Sequence, residues 1–410
     1  MTRSRWILYM TTEKETKDMT EKIYYESAYI KEFEGRVTEC LEDKKGFRIA
    51  LDRTAFYPEG GGQPCDKGIL TYAGPEGEDI TVEVFEVHDR NDIIYHYTAE
   101  PIAVGTAVKG EIDWDRRFYM MQHHTGDHIF SGVVLKELGY NNIGFHLTDH
   151  DLTIDYDGIM NEEDIRMVMD KCNEYVWNDQ PVTASYPENV REMEYRSKIS
   201  GEIDNIRIVK AGDADICACC GTHTASTGRA GPIVVTSFSH FSGGTRVNIV
   251  CGKKAVDVLK KRNDDCLYVS RALSVPVENT VRAFDRKMRE MESLRSRIGS
   301  LRRELIDIWV ASAEIVDGVA VLIKDGLDSR DVQKACIELA EKADVAIVIS
   351  GGGDATKKIA IVSGTVDTNR LGRHISASIG GKGGGKPGIY QGFVERLPSE
   401  EELRKIIAEF

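Results

Sequence analysis

Between residues 23 and 115 apolar and polar positions alternate in short runs. Arg48–Leu51, Ile80–Val84 and Ile93–Tyr97 repeat on a two-residue period, and Gly, Asn and Asp separate them. That pattern predicts strands joined by turns. The stretch from Thr54 to Pro64 breaks the alternation, because Pro58 and the consecutive Gly60, Gly61 and Gly62 force an irregular loop. From Arg116 to Leu138 the period becomes helical, with Phe118, Met121, Ile129, Val133, Val134 and Leu138 apolar. Residues 144–250 then mix short strands over 152–155, 206–209 and 234–235 with a charged helix over 161–178. The fold expected for this part is α+β, a β-barrel-like subdomain over 19–115 followed by an α+β subdomain over 116–270 built around a cleft.

A long helix follows. Apolar residues from Val277 to Ile308 recur every three or four positions with one three-residue slip, a heptad seam. It fits either a helix packed on its own protein or a coiled coil, antiparallel or dimeric, and it predicts a linker over 271–312. Beyond it, Val319–Ile323, Val345–Ile349 and Ile359–Val362 are almost continuously apolar, as parallel strands covered on both faces would be. Helical stretches at 328–342, 367–378 and 399–409 supply the cover, which predicts a separate α/β domain over 313–410.

Composition narrows the setting. With 410 residues, 41% hydrophobic and 29% charged, the chain suits two or three ordinary globular domains. No apolar run approaches a membrane span of about 18–20 residues, and Trp6–Met10 is too short for a signal-peptide core. Residues 1–18 read as a polar leader before a second plausible start at Met19. Nine cysteines, three of them crowded at Cys217, Cys219 and Cys220, suit a reducing, cytoplasmic setting with a metal or reactive site better than a disulfide scaffold. The net charge of −14 argues against indiscriminate nucleic-acid binding. Residues 282–303, however, hold eight Lys or Arg against three Asp or Glu, a local basic surface.

The candidate chemistry lies in two motifs. In His124-Thr125-Gly126-Asp127-His128 the imidazoles at i and i+4 share one helix face. In Cys219-Cys220-Gly221-Thr222-His223 a thiolate and an imidazole can meet across a glycine turn. Either pair alone is weak. Together they supply the four ligands of one zinc ion, His124, His128, Cys219 and His223, with Cys219 preferred because it has the i+4 relation to His223. Four protein ligands can also close a purely structural site. The polar Thr54 and Gln63 beside the glycine loop, and Gly144-Phe145-His146, are groups a reaction cleft would use.

At these residues the chain resembles the alanyl-tRNA editing proteins, free-standing relatives of the editing domain of alanyl-tRNA synthetase. Leu51–Pro58 followed by Gly60-Gly61-Gly62-Gln63-Pro64 is similar to that family's glycine-rich barrel motif, and the two metal motifs follow in its order. Gly144-Phe145-His146 and the segment from Phe241 to Val247 also fit. Gly380–Pro387 resembles the glycine-rich signature of the family's C-terminal domain. One position departs, since Cys220-Gly221 stands where the family has Gly-Gly.

The resemblance implies a trans-acting hydrolase that removes serine, or glycine, from tRNA(Ala). An apolar activation pocket rejects an added hydroxyl by only about a hundredfold, so a second site must read it. Thr54 is the expected reader, and Gln63 and His146 would place water or the terminal ribose. Gly60, Gly61 and Gly62, with Lys382 and Lys386 of the C-terminal run, would contact the RNA. That run is not a phosphate-binding loop, because Lys386 is followed by Pro387. The expected partner is tRNA(Ala), with no membrane and with a homodimer through the seam or the last domain. Two rivals stand beside this reading, a threonyl-type editing hydrolase and a non-catalytic tRNA-binding module with structural zinc.

Overall fold

The computed structural model describes residues 19–197, 206–351 and 357–410. The expected leader over 1–18 lies outside them. The chain divides into two compact units, one ending at Asp265 and the other beginning at Cys266.

The first unit opens with seven antiparallel strands: β1 (Glu32–Asp43), β2 (Gly46–Leu51), β3 (Gly68–Ala73), β4 (Asp79–Val84), β5 (Glu86–Arg90), β6 (Ile93–Thr98) and β7 (Ala107–Ile112). They pair in the order β4-β3-β7-β1-β2-β6-β5. Alternation along each strand sends one set of side chains inward. Phe33, Ile49, Leu70, Val82, Val87, Ile94 and Val108, one from each strand, meet in a single core. All seven strands thus contribute to one core, while the edges β4 and β5 are not paired with each other.

Helix α1 (Trp114–Leu138) starts at an Asp113 N-cap, whose carboxylate accepts the Arg116 N–H, and stops at Gly139 in the left-handed region. Every residue from Met120 to Val134 is buried. Around it lie a sheet of β8 (Asn142–Leu147), β9 (Leu152–Tyr156), β13 (Ile233–Phe241) and β14 (Gly244–Cys251), ordered β8-β9-β14-β13, and helix α2 (Glu162–Asn178). A three-stranded sheet of β10 (Val182–Ser185), β11 (Ile208–Ala211) and β12 (Asp215–Ala218) completes the cover. Helix α2 begins in a capping box, Asn161 with Asp164, one residue after the start its charge pattern predicts. Ile129, Phe130 and Val133 of α1 join Ile165, Val168 and Cys172 of α2 and Ile154, Val247 and Ile249 of the sheet in one core.

A buried ion pair ties α1 to the glycine-rich loop. Arg117 is fully buried; its Nε donates to both oxygens of Asp66 at 3.0 and 2.9 Å and Nη2 also donates to Asp66. The same guanidinium donates to the carbonyls of Ala28 and Ala55, and Asp66 accepts the Tyr57 N–H at 2.6 Å. The pattern of apolar residues says nothing of this link.

Helix α3 (Gly252–Leu273) runs from the first unit into the second, which begins at Cys266, and α4 (Thr280–Ser312) follows. Its seam is left uncovered within its own unit: Val281, Phe284, Leu294, Ile298 and Ile308 are all exposed, and only Ala283, Ile306 and Val310 are buried. A sheet of β15 (Val319–Ile323), β16 (Val345–Ser350), β17 (Lys357–Ser363), β18 (Gly381–Gly384) and β19 (Ile389–Val394), edged by Ile315–Val316, alternates with α5 (Ser329–Ala340), α6 (Thr368–Ile379) and α7 (Glu400–Ala408).

Here the expectation of parallel strands needs correction. Only β15 and β16 are parallel, whereas β17 runs antiparallel to both β16 and β19. The apolar runs arise because both faces are covered, which direction alone does not require. Val321, Ile347, Ile349 and Ile361 pack with Leu371, Ile375 and Leu403 of α6 and α7, while Ala320, Leu322, Ala346 and Val348 pack with Val332, Cys336 and Leu339 of α5. The glycine-rich run is the edge strand β18, paired with β19, so it is not a loop wrapped on a phosphate. Lys382 and Lys386 are exposed there. Among the described residues no helix is long and apolar enough to cross a membrane.

Removing one partner of a buried ion pair leaves the other charge uncompensated, at a cost of about 3–5 kcal/mol. Arg117→Ala is expected to lose stability on this scale in urea unfolding, and Asp66→Ala to do the same. A loss under about 1 kcal/mol in both would show that the pair does not hold the loop to α1.

Candidate metal centre

Because α1 is buried on every side from Met120 to Val134, each polar side chain there needs a partner. They divide by helix face. His123 is structural: its Nδ1–H donates to the Tyr119 carbonyl at 2.9 Å and its Nε2 accepts the Cys251 N–H at 3.1 Å. Burial lowers its pKa to about 4, so it stays neutral. His124 and His128, one turn apart, face the loop that leaves β12. That loop carries Cys219, one residue after the strand ends, and turns back at Gly221 and Thr222 to bring in His223. Gly221 has to be glycine, since a Cβ there would overlap the His124 ring. The departure at Cys220-Gly221 thus keeps the glycine that the packing demands.

The four residues converge. Nε2 of His124 lies 3.3 Å and Nε2 of His223 lies 3.4 Å from Cys219 Sγ. One ligand atom from each of His124, His128, Cys219 and His223 lies within 4.8 Å of all the others. Bonds of about 2.0–2.3 Å in a tetrahedral site place neighbouring nitrogen and sulfur ligands about 3.5 Å apart. The set fits a single divalent ion.

Its electrostatics agree. Burial alone would raise the Cys219 pKa, but the imidazoles of His124 and His223 hold it well below the usual thiol value. Burial lowers His223 to about 3, leaving a neutral ligand. Burial also opposes a charge on His128, yet hydrogen bonds to Asp215 and to the Cys219 sulfur raise its pKa well above the ordinary value. Without an ion, therefore, His128 keeps a proton that a metal has to displace. Burial raises the pKa of Cys217, and partial desolvation with the neighbouring Cys219 raises that of the exposed Cys220, so both stay in the thiol form. Cys219 is the residue in this cysteine cluster that is ready to bind.

The remaining predicted site residues are placed as follows. Gln63 is fully buried behind the ligands. Its Oε1 accepts the Nδ1–H of His124 at 2.9 Å and the N–H of Thr222 at 3.0 Å, and its Nε2 donates to Thr222 Oγ1 at 2.9 Å. It thus links the glycine loop to both metal motifs and orients a ligand. Gly61 and Gly62 have positive φ values of 57° and 79°, and a Cβ on Gly62 would overlap Phe145. Gly60 closes the turn by exchanging two backbone hydrogen bonds with Gln63, at 3.1 and 3.0 Å.

Thr54 is fully buried, and its hydroxyl lies 2.8 Å from His96 Nε2. The His96 Nδ1–H donates to the Ile49 carbonyl at 3.0 Å, and burial lowers the pKa to about 4. Nε2 is then the acceptor, so the Thr54 proton is committed to His96. Thr54 Oγ1 also accepts the Phe56 N–H at 3.1 Å.

Beside the ligands is a cavity of about 130 Å³, lined by Gly61, Asp127, Asn142, Phe145 and Arg196 together with His124, His128 and Cys219. Thr54, Gln63 and His146 do not line it. His146 is exposed on β8, while Phe145 beside it lies 5.3 Å from the His124 ring centre. Sequence reading passed over Phe145, although the period-two rule of a strand assigns neighbours to opposite faces. Asn142, Arg196 and Asp215 were also missed, and no local pattern marks them.

Three family descriptions match along the chain. They are tRNA synthetases class II (A) over residues 5–116, the Threonyl and Alanyl tRNA synthetase second additional domain over 206–248, and the DHHA1 domain over 316–410. Alanyl-tRNA editing protein AlaX-L of Pyrococcus horikoshii is 30% identical over 401 residues, covering 93% of this chain and 96% of that protein. The chain belongs to the alanyl-tRNA editing protein family. The alanine–tRNA ligases of Pyrococcus abyssi and Halorubrum lacusprofundi are 31% and 32% identical over 93% and 91% of this chain. The match takes in only 43% and 42% of their own lengths, so the chain spans under half of those ligases.

Replacing Cys219 or any of the three histidines by Ala should lower the metal content measured by atomic emission, with Cys219→Ala the most severe. Cys220→Ala should keep the content of the parent protein. The reverse pattern would transfer the thiolate role to Cys220. Loading the apo protein in weak buffer at pH 7 should release protons, because His128 gives one up. Uptake with no acidification would contradict a protonated His128.

Proposed function

We propose that this chain is a trans-acting, ATP-independent deacylase that hydrolyses the ester of Ser-tRNA(Ala), and of Gly-tRNA(Ala), at a zinc site formed by His124, His128, Cys219 and His223. The observation that carries this reading is the small polar cavity lying directly against the ligand set. A purely structural site has no use for such a cavity. Family membership supplies the substrate class, and the three-histidine, one-thiolate donor set is of zinc type. Zinc, when bound, would polarise an oxygen or lower the pKa of a bound water towards about 7. The chain's residues do the rest. Gln63 orients His124, Gly221 leaves room for its ring, and Phe145 and Gly61 line the cavity.

In this reading Thr54, buried and outside the cavity lining, senses serine through its oxygen once the bound substrate opens a way to it. Its proton belongs to His96, so it can only accept from the serine hydroxyl. Thr54→Val should reduce hydrolysis of seryl-tRNA relative to glycyl-tRNA by a factor reflecting about 1–3 kcal/mol. It should also lower stability by about 1–3 kcal/mol, because the buried Nε2 of His96 loses its donor. Loss of stability with an unchanged serine-to-glycine ratio would confine Thr54 to the core. His146, on the solvent side of β8, would then contact the terminal ribose from outside the cavity.

The test is deacylation of purified Ser-tRNA(Ala) with and without chelator. Turnover that stops on chelation and returns with zinc supports the reading, whereas binding without turnover in either state means a binding module. Hydrolysis of Ser-tRNA(Thr) in preference to Ser-tRNA(Ala) would move the chain to the threonyl type.

RNA affinity is assigned to the second unit, where the basic residues of α4 and Lys382 and Lys386 stand exposed on an otherwise acidic chain. Changing both lysines to Glu should weaken tRNA binding severalfold and flatten its salt dependence, leaving the maximal rate nearly unchanged. An unaltered salt slope would exclude them from the interface. The bare seam of α4 is assigned to a second copy of the chain, to be checked by light scattering on the parent and on Leu294→Glu.

A further inference from the structure

His128 belongs to two groups of potential ligands, the four-residue set and a second group with Asp215 and Cys217. Its two nitrogens point to different neighbours. Nδ1 is 2.9 Å from Asp215 Oδ2, and Nε2 is left for the cluster. Asp215, at the first position of β12, is held from its other side by Arg196. The Arg196 Nε donates to Oδ1 at 3.1 Å and Nη2 to Oδ2 at 2.9 Å, and both side chains are nearly inaccessible. Nη2 also lies 3.7 Å from Asp127, whose other oxygen accepts from Ser131 and Asn142 at 2.8 and 3.1 Å. The helix makes room for this carboxylate. Gly132 stands one turn beyond His128 on the same face, and a Cβ there would lie 2.8 Å from the Asp215 Cβ and overlap the Ala214 carbonyl.

We infer that Asp215 is a positioning residue of the metal centre: it accepts the Nδ1–H of His128, fixing the ring so that Nε2 faces the other ligands, while Arg196 fixes Asp215. The inference rests on the four-ligand metal reading above. Three consequences follow from the chemistry. Nδ1 is paired with the Asp215 carboxylate at 2.9 Å, so His128, Asp215 and Cys217 are not a second metal site. The carboxylate makes the imidazole a better donor to the ion. Arg196 takes up the charge of Asp215, because a buried carboxylate needs a paired cation. Arg196 also lines the cavity beside the ligands, so one guanidinium both steadies the ligand shell and walls the space next to it.

The test measures zinc affinity of the full chain by competition with a chromophoric chelator. Outer partners of a ligating histidine are typically worth about 10–100-fold in affinity. Asp215→Asn, which keeps an acceptor but loses the charge, should weaken zinc about tenfold, and Asp215→Ala about a hundredfold. Arg196→Gln should fall between the parent and Asp215→Asn, giving a reading if the Asp215 variants fold poorly. Cys217→Ser should bind zinc as the parent does, with one equivalent per chain in all cases. Cobalt-loaded Asp215→Ala should show an altered visible ligand-field spectrum, which a general loss of stability would not produce in the folded fraction. Parent-like zinc affinity in both Asp215 variants, or a second equivalent lost with Cys217→Ser, would overturn the inference. Failure of the parent chain to bind zinc at all would instead remove the metal reading on which it stands.

Discussion

A helix buried on every side yet rich in polar residues is the constraint from which the site follows. Between Met120 and Val134, α1 takes Gln122, His123, His124, Thr125, Asp127, His128 and Ser131 out of water. Each would be costly without a partner. The two sheets packed around α1, and the loops beside them, supply those partners, and what they leave on one face is a cluster of three imidazoles and a thiolate whose remaining donors and acceptors point at one another. Such a cluster is poorly satisfied by hydrogen bonds alone. A bound cation would resolve it.

The same constraint explains why the site draws on such distant segments. Gln63 comes from the glycine loop, Thr222 and His223 from the turn after β12, Phe145 from β8 and Asp215 from β12 itself. Arg117 and Asp66 tie the first of these to the root of α1, so the loop that reaches the ligands is anchored by a buried charge pair a few residues away. Glycines serve close approach here: Gly62 admits Phe145, Gly221 admits the His124 ring and Gly132 admits Asp215. Any side chain at those points would push a neighbour of the ligand set outward.

The second unit obeys a simpler rule. Its central strands are apolar at nearly every position because helices cover both faces, and alternate residues go to α5 or to α6 and α7. Two-faced burial is what the composition records. Strand direction leaves no comparable trace, which is why the same runs that predicted a buried sheet also predicted the wrong direction for β17.

The sequence by itself determined which two pairs, His124 with His128 and Cys219 with His223, could meet, because i and i+4 spacing is a local property that a helix or a glycine turn converts directly into proximity. It determined the helices over 114–138, 162–178 and 280–312 to within a few residues, since their periodicity and caps are local too. The heptad seam and the basic stretch of α4 were equally legible, but that the seam lies exposed was not. Tertiary structure alone decided which side chains support the ligands. Gln63 was visible as a polar residue beside a glycine run, but that it orients His124 depends on a contact across 61 positions. Thr54 was visible as a hydroxyl, but its proton is claimed by His96, 42 positions away. Asp215 and Arg196 carry no motif at all. Their partnership with His128 exists only because β12 lies against the bare face of α1 at Gly132, and packing of that kind is a long-range agreement between surfaces that no short window of sequence contains.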